Sequence, residues 1–125
     1  MNGERLRRGF TLIELLVVMA IIGLLLALAS PRYFSSLDRA KDVALREDLK
    51  ILRAQIDKFH GDTGRYPRTL EELVEAKYLR SIPVDPITNS ASTWQIVAPA
   101  EGDGVADVSS GAAGNARDGK AYAEL

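Results

Sequence analysis

Glu14 is the residue whose position most demands a chemical explanation. It lies near the start of an almost wholly aliphatic run, Phe10 to Ala29, where a charge typically costs several kcal/mol to bury. A carboxylate left alone there is strongly penalised, whereas a nearby cation offsets part of the cost. Other reactive types are sparse. There is no cysteine and one histidine, His60, which reads as a residue of a helix end or surface, where the C-terminal dipole favours it. No Ser-His-Asp set, Cys-His pair, metal-protease motif or phosphate-binding loop is present, and Glu71 with Glu72 reads as solvated charge. The carboxylates and amide with some ligand character are Asp103, Asp107, Asn115 and Asp118.

The elements that must carry these residues fall into two regions. A helix over Phe10 to Ser30 would rise about 31 Å, which matches a bilayer's hydrocarbon core of roughly 30 Å. Arg5, Arg7 and Arg8 precede it, so the positive-inside rule keeps the N-terminus cytoplasmic and sends the chain after Pro31 across the membrane. An alternative reading exists, because Ala27-Leu28-Ala29 has the small-x-small form of a secretory cleavage site. A cut after Ala29 would release an exported soluble binding protein. Against that, the apolar run exceeds the usual h-region, and Glu14 has no purpose in a discarded segment.

After Pro31 the residues Phe34, Leu37, Leu45, Leu49, Leu52, Ile56 and Phe59 recur at spacings near three and four, interrupted by Lys41. This pattern predicts an amphipathic helix. Asp42 with Arg46 and Arg53 with Asp57, at i,i+4, and Glu47 with Lys50, at i,i+3, predict a mixed-charge solvated face. Gly61 is the expected stop. Joined to the apolar span, the helix would have about fifty residues and a length of about 75 Å.

Downstream, Thr69 and Glu72 have capping-box spacing ahead of an apolar face of Leu70, Leu73, Val74 and Tyr78. Trp94 to Val97, Gly104 to Val108 and Lys120 to Leu125 are β-prone, so two or three antiparallel strands are expected, with Ser109 to Gly119 as a loop. The expected fold class is therefore α+β: a long N-terminal helix packed against a small head. The roughly sixty-five residues after Gly61 would bury only a modest core without that helix. The formal charge of −1 speaks against a nucleic-acid partner.

Gly9-Phe10-Thr11-Leu12-Ile13-Glu14, behind a short basic leader and ahead of an unbroken aliphatic run, resembles the processing motif of type IV prepilins and type II secretion pseudopilins. Gly64-Arg65-Tyr66-Pro67, followed by a small helix and "IPVDPIT", resembles the loop of the major pseudopilin branch. The resemblance implies a pilin-like fold in four parts: a leader at 1–9, a transmembrane and assembly helix at 10–30, an amphipathic half at 31–61 and a periplasmic head at 62–125. It implies that a prepilin peptidase cuts between Gly9 and Phe10 and methylates the new amino group of Phe10. That cut removes Glu4, Arg5, Arg7 and Arg8 and moves the side-chain charge from −1 to −3. Glu14, one turn from Phe10, would then set the register of subunits.

The implied function is non-enzymatic. The chain would be a subunit of a periplasmic filament that drives protein export by type II secretion, with a surface pilus for adhesion, motility or DNA uptake as the alternative. Implied partners are further copies of the chain, the peptidase, an inner-membrane assembly platform, minor pseudopilins and, before assembly, membrane lipid. Gly23 and Pro31 would break the helix, Pro31 in a part that melts on filament packing. The branch also commonly binds calcium near the C-terminus, which makes Asp103, Asp107, Asn115 and Asp118 the candidate ligands. The acidic-dense, Trp-ended loop associated with that ion is missing.

Overall fold

A computed structural model describes residues 9–125. The leader before Gly9, with Glu4, Arg5, Arg7 and Arg8, lies outside the described residues. Helix α1 spans Leu12–Thr63 and helix α2 spans Leu70–Glu75. Strands β1, Gln95–Val97, and β2, Asp107–Ser109, follow, and then a 3₁₀ turn at Tyr122–Glu124. The chain divides into two compact units, Met1–Leu37 and Asp38–Leu125.

In the first unit, every described side chain is exposed. α1 is long and apolar enough to cross a membrane, and none of its most apolar window is buried within the protein. So large a contiguous apolar surface marks a contact with lipid or with other protein. Gly23 and Pro31, expected to break the helix, both lie inside it. Pro31 has no N–H and so removes one backbone hydrogen bond, but the flanking Leu and Ala residues are strong helix formers.

The second unit is organised by the lower part of α1. Leu45, Leu49, Leu52, Ile56 and Phe59 are buried there against Leu70, Leu73, Leu79, Trp94, Val105 and Val108. Each fully buried Leu contributes roughly 1.5–3 kcal/mol relative to exposure. Of the expected stripe, Phe34 and Leu37 are exposed. α1 continues two residues past Gly61, the expected stop. It ends instead at Gly64, whose φ of +78° supplies the left-handed C-terminal residue while its N–H donates to the His60 carbonyl at 2.8 Å.

The loop after α1 is pinned by side chains. His60 stacks on Tyr66 with ring centroids 4.1 Å apart, so the sole histidine is occupied in packing. The Arg65 guanidinium lies over the Phe59 ring and pairs with Glu72 at 2.6 Å. Thr69 caps α2 by accepting the Glu72 N–H at 3.2 Å. The reciprocal half of the capping box is displaced by one residue, since Glu72 accepts the N–H of Arg68 rather than that of Thr69. α2 closes with Tyr78 N–H donating to the Leu73 carbonyl at 2.8 Å and Lys77 N–H to that of Val74 at 3.1 Å, the bonding pattern of a Schellman motif.

β1 and β2 form a two-stranded antiparallel sheet with Ile96 opposite Val108. Lys120 to Leu125, one of the β-prone runs, is not a strand. Its Ala and Glu residues have low β-propensity, and the 3₁₀ turn brings Tyr122 and Leu125 to one side, where both pack on the core.

Candidate assembly site

Phe10 lies just before α1 and Glu14 within its first turn. Thr11 stands just before the helix and accepts the Glu14 backbone N–H on its hydroxyl at 3.2 Å, while its carbonyl accepts the Leu15 N–H. Thr11-x-x-Glu14 is thus a capping-box sequence. That signal was legible in the sequence but is absent from the reading of Glu14 as an assembly residue alone. An acidic side chain in this turn also complements the helix dipole. Phe10 is 89% exposed, and with Ile13, Glu14, Val17 and Val18 it lines a shallow apolar groove of about 440 Å³. Gly9 has open space around it. The geometry is therefore an accessible Gly9-Phe10 junction beside a fixed helix start, with the one carboxylate of the apolar run placed in the first turn.

A second polar constellation lies on α1 within the head, and the sequence pattern misassigned its partners. Asp42, Arg46 and Arg53 share a face, since eleven residues make about three turns. Arg46 and Arg53 do not take the expected partners Asp42 and Asp57. Arg46 pairs with Asp118 at 2.7 Å. Arg53 pairs with Asp107 at 2.8 Å and donates to the backbone oxygens of Val108 at 2.9 Å and Leu125 at 2.6 Å. Asp42 is buried and accepts the Arg117 N–H at 2.9 Å and the Tyr122 hydroxyl at 3.1 Å. Burial and then the Asp42 carboxylate raise the Tyr122 phenol above its ordinary value. The Arg46 guanidinium, followed by the Lys120 N–H, holds Asp118 below the usual carboxylate range.

These bonds decide how the candidate calcium ligands are used. Calcium takes six to eight oxygens. Asp107 and Asp118 already face guanidinium groups, and Asp103 and Asn115 are exposed. Among the described residues, no three His, Cys, Asp or Glu side chains form a group able to hold a metal. Asp103, Asp107 and Asp118 are therefore not gathered into one ligand group.

Comparison with known proteins bears on the assembly site directly. Residues 5–30 match the family model described as the prokaryotic N-terminal methylation motif. The chain is 37% identical over 112 residues to type II secretion system core protein G of Pseudomonas aeruginosa, covering 77% of each. It is 32% identical to the protein of that name from Dickeya chrysanthemi, over 77% of this chain and 71% of the relative. Similarity to the type IV major pilin protein PilA of Myxococcus xanthus reaches 39% but spans 53% of this chain and 30% of that one. No solved structure matches the chain.

Proposed function

The chain belongs to the type II secretion system core protein G family, and from that premise we propose that it is the major, non-enzymatic subunit of a periplasmic pseudopilus. It is made as a prepilin, anchored in the bacterial inner membrane with its N-terminus cytoplasmic. A prepilin peptidase cuts after Gly9 and methylates Phe10. The subunit then leaves the bilayer for the filament at an assembly platform, together with minor pseudopilins.

The observation that carries this reading is the placement of Glu14. It is a single carboxylate in the first turn of a helix whose apolar N-terminal stretch is exposed throughout, one turn from the residue that would bear the new ammonium group. In a filament the apolar faces of neighbouring helices bury one another. An ammonium approaching Glu14 of a neighbour offsets the desolvation of both charges, so a subunit in the wrong register leaves a buried carboxylate unpaired.

Glu14→Leu separates assembly from the other roles of this turn. The Thr11 cap engages the backbone N–H of Glu14, so the helix start survives the substitution. The variant is expected to insert in the membrane, to be cleaved, and to yield no sheared filaments when produced with the secretion machinery. Filaments at the unmodified level would refute the pairing argument. The alternative of a type IV pilus is supported by the partial match to a pilin; filaments on the cell surface, with export unaffected by deletion, would favour it.

A further inference from the structure

We infer that the C-terminal part of the head is locked by two arginines of α1 in place of a metal ion, so that this chain folds and stays folded without calcium. This inference goes beyond the filament reading and does not depend on it.

The argument rests on how the oxygens are occupied. A calcium ion in a loop works by gathering carboxylates and backbone carbonyls that would otherwise repel one another or remain unsatisfied. Arg53 gathers the same kinds of group. Its Nε donates to Asp107 Oδ1, and one of its terminal nitrogens donates to the backbone oxygens of Val108 and Leu125. One planar cation thereby joins β2 to the segment that follows the 3₁₀ turn. Asp107 Oδ1 also accepts the Val108 N–H at 2.8 Å.

Two helical turns earlier on the same face, Arg46 holds Asp118 Oδ2 while the Lys120 N–H takes Oδ1, so both oxygens are engaged. Asp42 completes the set by fastening Arg117 and Tyr122. A guanidinium cannot lose its proton near neutral pH, and its rigid fork suits several oxygens at once. A divalent cation entering here would meet two fixed positive charges and carboxylates already turned toward them.

The test uses the full chain in detergent, stripped with excess chelator and then titrated with calcium chloride alone. Thermal unfolding is followed by fluorescence of Trp94, the only tryptophan. The expected midpoint is the same in chelator and in millimolar calcium, with no heat of binding by calorimetry. A cation bound with micromolar affinity would instead raise the midpoint by roughly ten degrees or more, and that rise would overturn the inference.

Arg53→Met keeps most of the aliphatic stem but none of the donors. It is expected to lower the midpoint by several degrees, equally with and without calcium, and to speed hydrogen exchange across Val108 to Leu125. Arg53→Lys should fall between the two, because an ammonium cannot span three acceptors in the same way. An Arg53→Met protein as stable and as protected as the original would also overturn the inference. Should that variant fail to fold, the calcium titration of the unmodified chain still decides the question.

Discussion

Asp85→Ala is predicted to be among the most damaging single substitutions in the head. Asp85 is fully buried, and its carboxyl group accepts the Ile87 N–H at 2.8 Å, the Thr88 N–H at 3.4 Å and the Ser110 hydroxyl at 2.5 Å. Ser110 is also fully buried and accepts the Ala112 N–H at 3.1 Å. The aspartate therefore ties the loop after Pro83 to the segment after β2. Alanine orphans two well-formed donors, the Ser110 hydroxyl and the Ile87 amide, each at about 1–3 kcal/mol. The third bond, at 3.4 Å, adds little.

Two such donors together cost about 2–6 kcal/mol. For a domain of this size each kcal/mol moves the midpoint by roughly 4–8 °C, so the predicted loss is roughly 8 °C or more. Asp85→Asn is the discriminating control. Its amide oxygen still accepts from Ile87, but its NH₂ group can only donate to Ser110 Oγ, so one donor, the Ser110 hydroxyl, is left unpaired, about half the effect of alanine. The assay is thermal unfolding of the detergent-solubilised chain by Trp94 fluorescence. The Trp94 indole N–H donates to the Pro83 carbonyl at 2.8 Å, next to the perturbed loop. Asparagine as harmful as alanine, or alanine within a degree or two of the original, would refute the hydrogen-bond reasoning.

Gly111→Ala would place a Cβ 2.1 Å from the Thr93 carbonyl oxygen; displacing that backbone should cost at least about 1–3 kcal/mol, read as a lower urea midpoint. Asp48 is held above its ordinary value by burial first and then by the Asp85 and Glu47 carboxylates. The folded chain therefore binds this proton more tightly than the unfolded chain, so the favourable contribution is complete below the ordinary value of 3.8 and lost as pH rises through the raised one. Asp48→Asn is accordingly predicted to raise the midpoint at neutral pH and to give no gain in acid; a gain confined to acid would contradict the sign.

Much of this architecture was readable because the relevant signals are local. The aliphatic run and the Leu45 to Phe59 stripe announce α1, and Thr69 with Glu72 announces α2. The Thr11 cap was just as local. What the chain order hides is choice among equivalent partners. Arg46 has Asp42 one turn before it and Arg53 has Asp57 one turn after it, yet the structure pairs them with Asp118 and Asp107, which lie 72 and 54 residues away. Only the return of the C-terminal segment onto α1 makes those carboxylates available. The approach of the chain just after β2 to the start of β1 makes Gly111 a packing requirement, because it passes against the Thr93 carbonyl. The return onto α1 also leaves Lys120 to Leu125 out of the sheet, with Tyr122 and Leu125 packed on the core at either end of the 3₁₀ turn.

The central claim is that the segment before Phe10 is removed and the remaining helix retained for assembly. Intact mass and N-terminal sequencing of the protein from its native membranes, with and without prepilin peptidase, test it most directly. The account predicts a chain beginning at methylated Phe10 when the peptidase is present and a chain retaining the leader when it is absent. A chain beginning at Ser30 would contradict it, because Glu14 and the apolar part of α1 through Ala29 would then be discarded.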